Sequence, residues 1–237
     1  FSGYSDIAIG TSRLFGFNLK QNFAFPYFSR DIAEFWRRWH ISLSTWFRDY
    51  LYIPLGGSRG GAWMKVRNTF IIFIISGFWH GASWTFIAWG VLNAFYFLPI
   101  LLTGNNRKNL NTVAEGNFFP SIKETSLMIF TFGLTVLAWI FFRAENIGHA
   151  LSYIKEIFSS SLFRIPSMDG GISSALSTIM LVIIFVIMEW IGREGQYAIA
   201  NIGLKWKRPL RHVMYYAIII AVFWFSGKEQ QFIYFQF

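Results

Sequence analysis

The sequence contains no cysteine, and this absence excludes several kinds of chemistry. Without thiols the chain has no disulfide, no thiolate metal site and no covalent cysteine acyl-enzyme. It also lacks a His-Glu-x-x-His zinc motif and a Gly-x-Ser-x-Gly nucleophile elbow. The stretch GGSRGG at residues 56–61 lacks the Gly-Lys-Ser/Thr ending of a phosphate loop, and we interpret it as a turn. We therefore expect no bound metal and no bound cofactor.

Charged side chains are scarce as well. They make up 14% of the residues, against roughly 25% in a soluble domain, while 54% of the residues are hydrophobic. A bilayer crossing takes about 20 apolar residues, and residues 68–102 form a run without formal charge. Residues 126–142, 174–191 and 212–225 are also long enough or nearly so. These segments predict an all-α fold, a polytopic transmembrane helical bundle that forms one membrane domain over residues 1–237.

The run at residues 68–102 is too long for one crossing. A single helix of this length would extend ~52 Å, whereas the hydrocarbon core is ~30 Å thick. Two short passes, or one kinked and partly re-entrant pass, fit better, with the break near Gly81. The positive-inside tendency favours two passes, with residues 30–67, 103–125 and 193–211 on the cytoplasmic side. The net charge of +9 is explained by these loops, and no nucleic-acid partner is expected.

Residues 29–52 have the pattern of a basic amphipathic helix. Aromatic and aliphatic side chains recur at three- and four-residue steps, which is the helical period. We predict one helix that lies in the membrane interface or lines a bundle. Its aromatic face is expected to carry Trp36, Trp39, His40, Leu43 and Phe47. Its wetter face is expected to carry Glu34, Arg38 and Asp49.

His80 is the only ionisable residue of the 68–102 run apart from Tyr96. A polar group at membrane depth usually has a function and a partner. Helical spacing would place Ser76, His80 and Trp84 on one face, and Gly77 and Gly81 would admit a second backbone or a substrate. The alternative is an ordinary histidine that bonds a carbonyl at a helix contact.

A histidine can act as a general base because its unperturbed pKa is ~6.5. One base, two substrates and no cofactor suffice for direct acyl transfer from a thioester to a hydroxyl. If His40 takes part in the same reaction, the two imidazoles must lie within roughly 15 Å at one pocket, since each must reach the reacting atoms. We expect Trp79 or Trp84 in the wall of that pocket and the turn at residues 56–61 near its mouth.

Five stretches of distinctive composition follow one another along the chain. They are FSGYSDIAIG (1–10), DIAEFWRRWHISLSTWFRDYLYIPLGG (31–57), SGFWHGASWTFIAWG (76–90), WIFFRAENI (139–147) and FIYFQF (232–237). Together they resemble the membrane-bound O-acyltransferase family, most closely its alginate O-acetyltransferase branch. The resemblance implies a bundle of spans around a thin central layer, with a tunnel that joins the two sides. It also implies that the chain is the C-terminal half of a longer protein.

The same resemblance implies roles for individual residues. His80 is expected to be the general base, and His40 to position or polarise the donor carbonyl or the acceptor hydroxyl. Substrate-tunnel positions are expected at Ser76, Trp79, Trp84, Trp36, Arg37, Arg38 and Arg48. The arginines would meet donor phosphates, with anchoring at the cytoplasmic face as the alternative.

The function expected from the resemblance is transfer of an acetyl-type group from acetyl-CoA or an acyl carrier to hydroxyls of an alginate-like cell-surface polysaccharide. The expected location is the bacterial cytoplasmic (inner) membrane, crossed several times. The expected partners are membrane lipid, the polysaccharide acceptor and periplasmic or extracellular acetylation proteins. Three alternatives stay open: D-alanyl or protein acyl transfer, a proton-coupled transporter, and a non-catalytic scaffold.

Overall fold

The structure, a computed structural model, describes residues 1–160 and 171–224, without the side chains of residues 171–175. Within these ranges every regular element is helical, which confirms the all-α prediction. The α-helices are α1 (Ser2–Leu14), α2 (Ile32–Arg38), α3 (Ile41–Phe47), α4 (Gly61–His80), α5 (Trp84–Leu102), α6 (Ile122–Arg143), α7 (Ile147–Ile157), α8 (Gly171–Gly192) and α9 (Arg208–Trp224). A 3₁₀ turn at Pro26–Phe28 and a π-helical turn at Arg48–Tyr52 complete the set. The motif at residues 232–237 lies outside the described residues.

The chain forms two compact units, Phe1–Ser167 and Met168–Phe237. The first contains α1 to α7, and the second contains α8 and α9. In the second unit the guanidinium of Arg193 lies 4.0 Å from the ring centre of Trp190 and donates to the Trp190 carbonyl at 2.8 Å. The Trp190 carbonyl, near the end of α8, therefore accepts a hydrogen bond from a basic side chain.

Two of the helices in the described residues, α5 and α6, are long and apolar enough to cross a membrane. A shorter apolar stretch, Leu176–Gly192, lies within α8. The segments predicted from hydropathy at residues 126–142 and 174–191 therefore fall inside helices. The segment at residues 212–225 does so up to Trp224, and its last residue is not described.

The run at residues 68–102 breaks at Gly81, as its length predicted. α4 ends at His80. Gly81 follows with a φ of 152°, a backbone conformation that residues other than glycine rarely adopt. The hydroxyl of Ser83 then caps α5 by accepting from the Thr85 amide at 3.3 Å. The result is a helical hairpin whose turn lies directly beside His80.

Two glycines allow the two helices of this hairpin to approach each other closely. A Cβ on Gly77 would meet the Phe86 carbonyl oxygen, and a Cβ on Gly90 would meet the Phe73 carbonyl oxygen. Both sites are backbone contacts, so a larger side chain cannot be accommodated by a rotamer change. The expectation that Gly77 admits a second backbone is correct, and that backbone is α5.

The predicted single helix over residues 29–52 is wrong. α2 ends at Arg38, His40 has a left-handed φ of 43°, and α3 starts at Ile41. Backbone hydrogen bonds to the preceding segment hold the break open. Ala24 donates to the Arg38 carbonyl at 3.0 Å, and Ile41 donates to the Asn22 carbonyl at 2.9 Å. Strained backbone of this kind persists only where its surroundings enforce it.

The prediction that Glu34 and Arg38 lie nearer water is also wrong. Glu34 is fully buried, with 1% exposure, and accepts from Arg30 at 3.1 Å and from Arg38 at 2.9 Å. Arg30 reaches onward to Glu124 at 3.3 Å and to the Asn111 carbonyl at 2.7 Å. A buried carboxylate needs such partners, and here they fasten α2 to the start of α6. Asp49 is exposed, as predicted.

Candidate active site

The first unit contains a pocket of about 320 Å³ whose wall is rich in aromatic side chains. Side chains from α2 to α5, from the turn at residues 56–61 and from the segment after α5 line it. His40 and His80 both belong to this wall. The pocket is therefore the place where the two histidines singled out from the sequence meet.

A shared aromatic ring limits the distance between the two imidazoles. The Trp79 ring centre lies 6.3 Å from that of His40 and 4.9 Å from that of His80. The imidazole centres can be no farther apart than the sum of these two distances. They therefore lie inside the roughly 15 Å that a single acyl-transfer site allows.

The His80 imidazole is surrounded by rings. Its centre lies 5.4 Å from the ring centre of Trp89 and 4.9 Å from that of Phe142, both in edge-on geometry, and 6.2 Å from that of Phe86. Within the described part of the chain, no side chain or backbone group makes a hydrogen bond to either imidazole. This argues against a histidine that merely bonds a neighbouring carbonyl, and it leaves ring nitrogens available for a substrate.

His40 owes its position to the break between α2 and α3. Its ring packs against Phe1 at 4.7 Å and stacks on Phe23 at 6.3 Å. Burial lowers the pKa of His40 to about 4 because the charged form is poorly solvated there. The ring is therefore neutral at physiological pH and offers one nitrogen acceptor and one N–H donor.

Three of the predicted tunnel residues also line the pocket, namely Ser76, Trp36 and Arg48. Ser76 lies one helical turn before His80 and is buried, with 6% exposure. The Trp36 indole Nε1 is buried and has no hydrogen-bond partner in the described residues. Thr69 and Ser44 add further hydroxyls to the wall.

The positions expected for Trp79 and Trp84 need correction. Trp84 follows the Gly81 break, is 79% exposed and does not share a helix face with Ser76 and His80. Trp79 contacts both imidazoles but is 45% exposed and lies outside the pocket wall. The prediction assumed one continuous helix through residue 84, whereas α4 ends at His80.

Arg37 and Arg38 lie outside the pocket, which corrects their expected place in the tunnel. Arg37 donates to the carbonyls of Asn106 and Asn109 at 2.6 and 2.7 Å. Arg38 is held by Glu34, as described above. Both side chains fasten α2 to the segment between α5 and α6.

Arg48 does line the pocket, as expected. It is 60% exposed and forms two hydrogen bonds with Asp49, at 2.7 and 3.1 Å. These bonds lower the pKa of Asp49 and keep its carboxylate charged. The adjacent negative charge weakens the attraction of Arg48 for an anion.

Sequence reasoning missed Arg107. This side chain lines the pocket together with Asn106, and in the described residues it has neither an ion pair nor a hydrogen bond. It lies beside Lys108 in a polar segment without periodicity, so no sequence signal distinguished it from a solvated cation. The turn at residues 56–61 also reaches the pocket through Ser58, whose hydroxyl lies 3.1 Å from that of Tyr52.

The pocket is elongated along α5. Trp89 and Leu101 are both in its wall, and α5 rises roughly 18 Å between them at ~1.5 Å per residue. Arg107 lies beyond the Leu101 end, and the imidazole of His80 lies beside Trp89. A cationic mouth and a pair of unbonded imidazoles therefore occupy opposite ends of one groove.

Comparisons with known proteins agree on one family. The sequence model of the membrane-bound O-acyltransferase family matches residues 1–136. The chain is 36% identical to a probable alginate O-acetylase of Pseudomonas putida, over its whole length and 50% of the relative. It is 43% identical to a peptidoglycan O-acetyltransferase of Helicobacter pylori, over 65% of the chain and 28% of the relative.

A third relative is named for a different acceptor, teichoic acid. A teichoic acid D-alanyltransferase of Streptococcus thermophilus is 42% identical over 39% of the chain and 24% of the relative. The chain spans about half the length of the Pseudomonas putida protein and less of the other two.

Proposed function

Because the chain belongs to the membrane-bound O-acyltransferase family, we propose that it moves an acetyl-type group from a thioester donor to hydroxyls of a cell-surface polysaccharide. The observation that carries this proposal is the meeting of two unbonded imidazoles, His40 and His80, at one elongated pocket with a cationic mouth. The alginate O-acetylase and peptidoglycan O-acetyltransferase relatives support a saccharide acceptor, and the former favour an alginate-like one.

The reaction needs one base and proceeds without an acyl-enzyme. His80 accepts the proton of the acceptor hydroxyl as the hydroxyl oxygen attacks the thioester carbonyl carbon. The tetrahedral intermediate collapses with cleavage of the carbon–sulfur bond. The leaving thiolate then takes the proton from the His80 imidazolium, so the products are an oxygen ester and a free thiol, and the base is regenerated.

His40 is a positioning group in this scheme. A neutral imidazole can donate its N–H to the carbonyl oxygen, on which negative charge develops in the transition state. Its ring is fixed by Phe1 and Phe23, so the donor group is preorganised. The strained left-handed backbone of His40 is consistent with a functional constraint at this residue.

The shape of the pocket suits the donor. Acetyl-CoA and acyl carriers present the acyl group at the end of a long arm, with phosphate at the other end of the arm. The groove runs from Arg107 to His80 over a distance that such an arm requires. Arg107 and Arg48 are placed to bind the phosphate, and guanidinium groups suit this role because of their planar, bidentate geometry.

The proposed setting is the bacterial cytoplasmic membrane, crossed several times by a polytopic bundle. In this arrangement α4, α5 and α6 are spans in contact with lipid, whereas α2, α3 and the π-helical turn are interfacial or re-entrant. Residues 30–67, 103–125 and 193–211 then face the cytoplasm, in agreement with their Lys and Arg content. A polysaccharide outside the cell requires acceptor delivery from the other face, and periplasmic or extracellular proteins are the expected partners.

Analysis of polysaccharide O-acetyl groups in cells tests this proposal. The only copy of the protein would carry His80→Ala, and expression and membrane insertion would be measured in parallel. We expect loss of O-acetyl groups at normal protein level. His149→Ala is the matched control, since His149 is exposed on α7 and far along the chain from the pocket. Wild-type acetylation in the His80→Ala strain would favour a scaffold and contradict the proposal.

D-alanyl transfer is the second candidate, and the Streptococcus thermophilus relative favours it. The same base and pocket serve either acyl group, because both arrive as thioesters and leave as oxygen esters. Mass analysis of the ester-linked groups released by mild base separates the two. Acetate supports the first candidate, and D-alanine supports the second. A proton-coupled transporter predicts neither product.

A further inference from the structure

A second cleft of about 510 Å³ lies where the α4–α5 turn meets the α6–α7 turn. One wall contains Ser83, Trp84 and Thr85, and the other contains Glu145 and Asn146. This cleft lies at the His80 end of the hairpin, whereas Arg107 follows the far end of α5. It therefore opens at the opposite end of the hairpin from the cationic mouth of the pocket.

Two side chains of this cleft, Trp84 and Glu145, form no ring contact, hydrogen bond or ion pair with the described residues. Trp84 is 79% exposed, and its indole makes no ring contact or hydrogen bond with the described residues. The Glu145 carboxylate likewise has no hydrogen bond or ion pair there. The other polar groups are already used, because Asn146 caps α7 through the His149 amide at 2.9 Å and Ser83 bonds Thr85 at 2.9 Å. The indole of Trp84 and the carboxylate of Glu145 are therefore both available to a ligand in the cleft.

Two phenyl rings from the segments that form this cleft pack on the His80 imidazole. Phe86 follows Trp84 by two residues, and Phe142 precedes Glu145 by three. The two phenyl rings lie 4.9 Å apart, and the Phe142 ring lies 4.9 Å from the imidazole. The segments that form the cleft therefore also supply the rings that pack on the base.

We propose that Trp84 and Glu145 form a subsite for the acceptor saccharide. The flat, apolar face of a sugar ring stacks on the indole, and its hydroxyls donate to the Glu145 carboxylate. The inference rests on the proposed function, and it adds two residues that hold the acceptor. It also assigns a role to the motif at residues 139–147, since Phe142 packs on His80 and Glu145 binds the acceptor.

Steady-state kinetics of the purified full-length protein test this subsite. The assay varies an acceptor oligosaccharide at fixed thioester donor, and it measures donor hydrolysis without acceptor. Trp84→Ala should raise the acceptor KM about tenfold, as expected for loss of one aromatic contact. The donor KM and the hydrolysis rate should stay within about twofold. Trp84→Phe should restore most of the acceptor affinity, and Glu145→Gln should raise the acceptor KM several-fold.

Trp63→Ala is the matched control, because Trp63 is 78% exposed at the other end of α4. It should leave the acceptor KM unchanged. An unaltered acceptor KM in Trp84→Ala, or an equal rise in Trp63→Ala, would overturn the subsite while leaving the proposed function intact. A wild-type protein that transfers no acyl group under any donor would overturn both.

Discussion

The imidazoles of His40 and His80 contact the same indole, that of Trp79, from two different elements of the fold. His80 ends α4, and His40 occupies the break between α2 and α3. Each is held by packing, and neither bonds another group in the described residues. Two unbonded imidazoles at one pocket are suited to serve acyl transfer as a base and a positioning group.

The role of His40 can be separated from its effect on the backbone. His40→Ala removes the N–H donor and should lower kcat about 100-fold, as for loss of one oxyanion donor. His40→Asn should retain more activity, because Asn tolerates the left-handed φ of 43° and still donates a hydrogen bond. Rates and thermal stability would be measured together. Equal activity of the Ala variant and the wild type would remove His40 from the mechanism.

The close approach of α4 and α5 predicts a steric effect at Gly77. Gly77→Ala should destabilise the protein by about 1–3 kcal/mol, since the new Cβ meets the Phe86 carbonyl and the helices must separate. Gly133→Ala in α6 is the control, because nothing lies near a Cβ there, and it should be neutral or stabilising. Thermal unfolding in detergent measures both. Similar midpoints for the two variants would refute backbone-to-backbone packing.

Glu34 is predicted to be essential for stability. Glu34→Ala leaves Arg30 and Arg38 without their buried counter-charge and should cost about 3–5 kcal/mol. Asp49→Asn removes an exposed ion pair and should not change the unfolding midpoint measurably. Chemical denaturation in mild detergent compares the two. If Glu34→Ala unfolds no earlier than Asp49→Asn, the ion pairs of Glu34 do not hold α2 in place.

Arg107 should govern donor affinity. Arg107→Gln should raise the KM for the thioester donor roughly tenfold, because it removes a charge-assisted contact with phosphate. Lys108→Gln changes the neighbouring cation, which does not line the pocket, and should have little effect. Arg48→Gln should fall between them, since Asp49 already bonds Arg48. An unchanged donor KM in Arg107→Gln would place the phosphate elsewhere.

The parts of the fold that length and composition determine were predictable. Residues 68–102 exceed one membrane crossing, and glycine at residue 81 is the natural break point, so a break there followed from the sequence. The break at His40 did not, because the amphipathic pattern continues across it. Two hydrogen bonds accompany that break, one from the Ala24 amide to the Arg38 carbonyl and one from the Ile41 amide to the Asn22 carbonyl. Such tertiary contacts have no periodic signature.

The residues of the candidate site were predictable only in part. His80 stood out as an ionisable group in an uncharged run, and Ser76 followed from helical spacing. Trp84 was misplaced because the spacing argument crossed the Gly81 break. Glu34 looked like a surface residue, since charged side chains usually lie at the surface and its burial depends on tertiary contacts. Arg107 and Glu145 lie in connecting segments, where no pattern distinguishes a binding residue from a solvated one.

The acyl-transfer rate of His80→Gln tests the central claim most directly. Glutamine fills similar space and can hydrogen-bond, but it cannot accept a proton near neutral pH. With purified full-length protein, a thioester donor and a saccharide acceptor, general-base catalysis predicts a kcat lowered by about 10²–10⁴-fold, with His149→Gln at the wild-type rate. A His80→Gln rate within a few-fold of the wild type would contradict the account.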